Sequence, residues 1–386
     1  MWRTLGWNGL SLVSLLMAVT VVMTLAALIY VLLMPTLEEK ASLIYQVLVL
    51  LMVMVLVCIV LTVAYQASFF AYSENRQRHR NQQLDRWAAV WNAVVFNQAP
   101  TPSTRDPLAA EGLLSLKGFH LDQHGRIGQL YDQSGLLAAD VRTLQGRGPV
   151  LNKIQVLERW MLLCEEKTHP HLEASRHASH PEVAFLAFAA LARSMGVNRT
   201  PGDLVARTFT EVFVGGQFSS GRLEQVLVLL GEQGTTLIQH LLQDPSVRLQ
   251  LLALHALVYI DTTACEAECL ELLDSKDPDV RASSLKVLAL RGVLPGVGSE
   301  TVMGMVTDPV WFVRAQAVRA SASLQDRRVL QVLYDGLADA SWWVRHNSAV
   351  ALMQRGPDGL HTLQNAQLHH HDPYARDMAY QYLQVF

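Results

Sequence analysis

"DASWWVRHNSAVAL" (residues 339–352) is one of five stretches that can be laid over one another, with "DPSVRLQLLALHAL" from Asp244, "DPDVRASSLKVLAL" from Asp277, "DPVWFVRAQAVRA" from Asp308 and "DPYARDMAYQYL" from Asp372. The aspartates step by 33, 31, 31 and 33 residues, and Arg248, Arg281, Arg314, Arg345 and Arg376 step by 33, 33, 31 and 31. Self-similarity at such a period marks stacked supersecondary units. An apolar helical stretch precedes each block, for example "TTLIQHLLQ" (235–243) or "RRVLQVLYDGL" (327–337), so the predicted unit is a pair of helices. An Asp caps a helix start by accepting backbone N–H bonds, and a Pro fits the first turn because it has no N–H to satisfy. Small and apolar residues such as Val344, Ser348, Ala349 and Leu352 then share one helix face and let neighbours approach.

The "D-P-x-V-R-x-x-A-x-x-A-L" pattern resembles the HEAT-repeat superfamily, particularly the short bacterial HEAT-like repeats, over about residues 235–386. The resemblance implies an all-α solenoid in which the Asp and Arg pair with each other or with adjacent repeats, forming a ladder. On that reading Asp244, Arg248, Asp277, Arg281, Asp308, Arg314, Asp339, Arg345, Asp372 and Arg376 are structural. Two weaker pairs without the Asp and Arg precede them, over residues 152–196 and 203–232.

The N-terminal part reads differently. With 51% hydrophobic and 17% charged residues the chain is apolar. Residues 4–37 and 41–73 carry no formal charge, and each run exceeds the roughly 20 residues that cross a bilayer core. The short "PTLEEK" (35–40) between them fits an antiparallel hairpin, and the first run is too long for a cleaved signal peptide. Arg76, Arg78, Arg80 and Arg86 follow the second run, so the expectation is a two-span protein of the cytoplasmic membrane with both termini cytoplasmic. The arginines either set topology alone or also touch lipid headgroups. "NQQLDRWAAVWNAVVFN" (81–97) predicts a third, amphipathic helix, and the prolines of "QAPTPSTRDP" (98–107) predict a linker. The expected layout is a transmembrane hairpin over 1–75, a juxtamembrane helix, linker and irregular helical segment over 76–150, and the solenoid over 151–386.

A search for catalytic chemistry returns little. "VFVGGQFSSGRLEQ" (212–225) lacks the Lys and Ser/Thr of a phosphate-binding loop, and no H-E-x-x-H or G-x-S-x-G occurs. Of the HEAT-like enzymes, the deoxyhypusine hydroxylases use His-Glu pairs as iron ligands, and no histidine here precedes a Glu; the bilin lyases would not be expected to carry a membrane hairpin. The histidines of 169–180 and 369–371 lack cysteine or carboxylate partners arranged around them, so no metal and no cofactor is expected. Cys58, Cys164, Cys265 and Cys269 form no C-x-x-C motif and read as buried thiols. A net charge of −3 supplies no basic groove, which argues against nucleic acid.

The tryptophans remain. Blocks three and four read as two residues longer between Asp and Arg, and the aromatics fall there: Trp311 and Phe312, then Trp342 and Trp343, with Tyr374 in the last block. Either the rings fill gaps between repeats, or they form a surface for a protein, glycan or small ligand. The reading adopted is a non-enzymatic, membrane-anchored adaptor that binds a protein through its solenoid. The overall layout resembles bacterial membrane HEAT-repeat proteins that accompany glycosyltransferases of surface-polysaccharide synthesis, which implies such a membrane complex as partner. The alternative is a HEAT-like enzyme of the lyase or metal-dependent hydroxylase kind.

Overall fold

The computed structural model describes residues 37–96, 98–118, 124–291 and 297–384. Every regular element among them is helical. The chain divides into two compact units, Met1–Ser134 and Gly135–Phe386.

The first unit contains α1 (Leu37–Val95), α2 (Pro107–Ser115) and α3 (His124–Gln133). α1 is a single helix of 59 residues, and the amphipathic segment expected as a separate third helix is its C-terminal part. Trp91, Val94 and Val95 of that part are buried, with the Trp91 indole N–H donating to the Ala109 carbonyl at 2.8 Å. Trp87 donates to Asp106 Oδ2 at 2.9 Å, while Asp106 Oδ1 accepts the Leu108 N–H and caps α2. These two indoles convert an amphipathic stripe into a defined helix–helix contact, since a buried ring N–H needs a partner.

The anchor expected from the sequence is overturned. The first uncharged run lies outside the described residues apart from its last residue, and the second is the first half of α1. Among the described residues no helix is long and apolar enough to cross a membrane. The expected localisation in the cytoplasmic membrane, with two spans and both termini cytoplasmic, is corrected on that finding. The charge-free window 41–73 is not a separate element: its helix runs on through Glu74, Arg76, Arg78, Arg80, Asp85 and Arg86. Two of the arginines expected beside the membrane are engaged by acids: Arg78 with Glu74 at 2.7 Å, and Arg80 with Glu111 at 2.5 Å.

The second unit opens with α4 (Leu136–Gln145), α5 (Val150–Leu163) and the short α6 (His169–Ser175). It continues through α7 (Pro181–Val197), α8 (Gly202–Gly215), α9 (Ser220–Leu230), α10 (Thr235–Gln243), α11 (Val247–Leu257), α12 (Glu266–Glu271) and α13 (Pro278–Arg291). It ends with α14 (Val297–Gly304), α15 (Trp311–Ser321), α16 (Arg328–Gly336), α17 (Trp342–Gln354), α18 (Pro357–His369) and α19 (Pro373–Leu383). From α5 onward the helices alternate in role. The second members of successive pairs, α7, α9, α11, α13, α15, α17 and α19, pack each on the next. This is a solenoid-like arrangement of helical repeats, each burying its apolar face against its neighbours.

Small residues set the spacing. α7 buries Ala184, Ala187, Ala189, Ala190 and Ala192, and its Phe188 ring lies 4.8 Å from that of Phe209 in α8. Gly359 in α18 faces the Leu352 carbonyl of α17 so closely that a Cβ would collide with it. Near the start of the unit the Asp140 carboxylate is buried with Arg159 and accepts the Trp160 indole N–H at 3.1 Å. A buried charge is tolerated there because it is both paired and hydrogen-bonded.

Candidate functional site: the aromatic edge and its arginine ladder

The last five second helices begin at Val247, Pro278, Trp311, Trp342 and Pro373. The fourth residue of each is Gln250, Arg281, Arg314, Arg345 and Arg376. Each of these side chains reaches back to the carbonyl six residues earlier: Gln250 to Asp244 at 2.9 Å, Arg281 to Ser275 at 2.9 Å, Arg314 to Asp308 at 3.0 Å, Arg345 to Asp339 at 2.7 Å and Arg376 to His370 at 2.7 Å. At those same five positions the side chain accepts the backbone N–H two residues on: Asp244 from Ser246, Ser275 from Asp277, Asp308 from Val310, Asp339 from Ser341 and His370, through Nδ1, from Asp372.

This changes the register. Asp244, Ser275, Asp308, Asp339 and His370 are equivalent, whereas Asp277 and Asp372 lie two residues later. There Asp277 accepts the N–H groups of Asp279 and Val280, and Asp372 accepts that of Ala375. The blocks with tryptophan contain no two-residue lengthening: their helices start at the common place, and Trp311 and Trp342 occupy the first helical position that Pro278 and Pro373 fill elsewhere. Arg248 stands where Phe312, Trp343 and Tyr374 stand, and it donates to the Phe213 carbonyl at 3.0 Å.

With that register the ladder has two closed rungs. Arg281 donates through Nε and Nη2 to Asp308 at 2.8 and 3.0 Å, and Arg314 does the same to Asp339 at 2.7 and 2.9 Å. Each joins one repeat to the next with two parallel bonds, the geometry that a planar guanidinium favours. Burial raises the Asp339 pKa, but hydrogen bonds from Arg314 and Ser341 and the nearby arginine charges outweigh it, leaving the carboxyl below its usual range. The hydrogen bonds that Arg314 donates to Asp339 hold the guanidinium above its usual value. The next rung is open. Arg345 has no carboxylate partner, because the residue equivalent to Asp308 and Asp339 in the following repeat is His370. Its Nε is enclosed and makes no hydrogen bond.

The aromatic residues line the first turn of the same helices. Trp311, Trp342, Trp343 and Tyr374 are 46, 48, 55 and 65% exposed, and Phe312 is half-buried. Trp311 and Phe312 meet edge to face at 5.8 Å, as do Trp342 and Trp343 at 5.0 Å. His346, one turn after Trp342, stacks on it at 4.8 Å, and its Nδ1 lies 2.5 Å from the Tyr382 hydroxyl of the next repeat. The Arg345 guanidinium carbon lies 5.4 Å from the centre of the Tyr374 ring. His346 and Tyr382 escaped the sequence reading; the spacing of four between Trp342 and His346 was the available signal.

Elsewhere several histidines and cysteines are engaged structurally. His169 Nε2 lies 2.8 Å from Ser194 Oγ, and burial holds this ring below its usual pKa. His180 accepts the Glu182 N–H at the start of α7. Cys164, Cys265 and Cys269 are buried, and burial pushes the Cys265 thiol up to about 12. Among the described residues no three His, Cys, Asp or Glu side chains are grouped to hold a metal ion.

Residues 300–384 match the family of HEAT repeats. The matched stretch runs from within α14 through the whole of α19, and so contains the second closed rung, the open rung and every exposed tryptophan of the edge. No curated protein matches the chain. Among solved structures it is similar to the crystal structure of an engineered protein, at 17% identity, covering 81% of this chain and 95% of that one with a TM-score of 0.36. The fold is HEAT-like in its C-terminal repeats, and HEAT repeats generally mediate protein interaction.

Proposed function

We propose that the chain is a non-enzymatic scaffold whose HEAT-like repeats bind a protein along the edge formed by Trp311, Phe312, Trp342, Trp343 and Tyr374. The observation that carries this reading is that the first helical turn of each of three successive repeats presents an exposed aromatic ring, Trp311, then Trp342 and Trp343, then Tyr374. Exposed tryptophan and tyrosine are the side chains that most often anchor interfaces, and a repeat array presents equivalent positions as one extended surface. Rings that merely filled gaps between repeats would be enclosed, and these are not. Nothing in the geometry selects a glycosyltransferase as the partner.

The test is co-purification of the full chain from its own cells after cross-linking, followed by mass spectrometry. A stoichiometric protein partner is expected, lost in Trp342→Ala and Trp343→Ala at an unchanged unfolding midpoint. Recovery of the chain alone, or loss of the partner only in step with loss of stability, would contradict the reading. An intrinsic enzyme would instead show bound metal or a chromophore by elemental analysis and absorbance.

A further inference from the structure

The open rung deepens that reading and rests on it. Arg345 is held as its counterparts are, with Nη1 donating to the Asp339 and Ala340 carbonyls at 2.7 and 3.2 Å. Its fork is therefore already set in the orientation that Arg281 and Arg314 use to grip an acid. Neither Nε nor Nη2 makes a hydrogen bond, and of the two only Nε is enclosed. The carboxylates at hand are committed elsewhere: Asp339 to Arg314 and the Ser341 N–H, Asp372 to the Ala375 N–H. His370 offers no acceptor either. Its Nδ1 already takes the Asp372 N–H, so the neutral ring carries its proton on Nε2 and presents only a donor. An arginine nitrogen left without an acceptor is destabilising, and a carboxylate supplied from outside relieves that.

We propose that the bound partner completes this rung with an Asp or Glu side chain, which approaches Arg345 through the open Nη2 beside Tyr374 and Trp343. The site would thus select an acidic residue flanked by apolar or aromatic ones, since the carboxylate meets the guanidinium while its neighbours meet the exposed rings. A carboxylate rather than a phosphate is the assigned ligand, because it is what both closed rungs hold in the same fork.

The probe is an array of random-sequence peptides exposed to the full chain. Retained peptides should be enriched in Asp or Glu, and their retention should fall about tenfold or more in Arg345→Gln, the loss expected when a charge-assisted pair is removed. It should fall equally in His370→Asp, which supplies the missing carboxylate from within the chain and closes the rung. If Arg345→Gln folds poorly, His370→Asp still decides, since it is expected to be more stable than the parent. Peptides retained through Trp343 but indifferent to both substitutions would overturn this inference and leave the partner surface standing. Retention without acidic enrichment and displaced by inorganic phosphate would mean a general anion site and overturn it. No retention, or retention indifferent to Trp343→Ala, would overturn both.

Discussion

The rungs Arg281–Asp308 and Arg314–Asp339 and the rung at Arg345 are built on the same helix turn, with the same arginine bonded to the same pair of preceding carbonyls, and they differ in one residue. Where the acid is present the repeats are cross-linked by two charge-assisted bonds; where His370 replaces it the guanidinium has no carboxylate partner and its carbon lies 5.4 Å from the centre of the Tyr374 ring. On the proposed reading, a framework position becomes a recognition position by losing its acid.

The sharpest way to break the comparison is Asp308→Ala. Its carboxylate and the Arg281 side chain are only 5 and 12% exposed, so removing the acid strands a nearly enclosed charge. A loss of about 3 kcal/mol is expected in urea unfolding. Asp339→Ala, in a slightly more open rung, should lose about 2 kcal/mol. Values near zero would mean that the ladder contributes no stability. His370→Asp should move the other way by about 1 kcal/mol, the net worth of a hydrogen-bonded pair formed by an arginine already in place.

The two kinds of rung should also separate by pH. The Asp339 carboxyl titrates lower folded than unfolded, so the unfolded chain binds more protons between the two values. Its contribution is therefore complete above about pH 4 and is lost as pH falls through the folded value. His370 is held below its usual value by burial and then by His371, so its cost begins earlier, as the unfolded imidazole protonates below about pH 6.5. Urea midpoints should fall from that pH downward in the parent and less in His370→Asn, with the Asp339 part surviving until more acidic conditions. The smallest effect is expected on the edge itself. Trp342→Ala or Trp343→Ala should change stability by less than about 1 kcal/mol, because these rings are half in solvent and touch mainly each other and His346.

Much of this architecture was legible in the sequence, and the part that was not has a physical cause. The period and the Asp-Pro and Val-Arg signals mark helix pairs because capping and burial impose them on any sequence. The equivalence of the aspartates could not be read that way. An Asp serves equally as a helix cap, as Asp277 does, or as an acceptor two residues earlier, as Asp308 does, and both produce the same letters before a helix. Only the carbonyls that the arginines reach distinguish the two. His370 as the counterpart of Asp339 has no sequence signature at all, since a ring nitrogen replaces a carboxylate oxygen in accepting one N–H. The aromatic residues were visible, but their exposure depends on what the neighbouring repeat places over them. At the N-terminus the uncharged runs suggested membrane spans, whereas the helix that forms is a longer element with a charged second half and a C-terminal part packed through Trp87 and Trp91.

Whether Arg345 is an arginine whose acid is missing can be measured directly by a double-mutant cycle. Unfolding free energies of the parent, Arg345→Gln, His370→Asp and the double variant isolate the coupling between the two positions. The predicted result is a favourable coupling of about 1 kcal/mol between Arg345 and the new Asp, matching in sign the coupling of Arg314 with Asp339. A coupling of zero, with His370→Asp no more stable than the parent, would contradict the open rung.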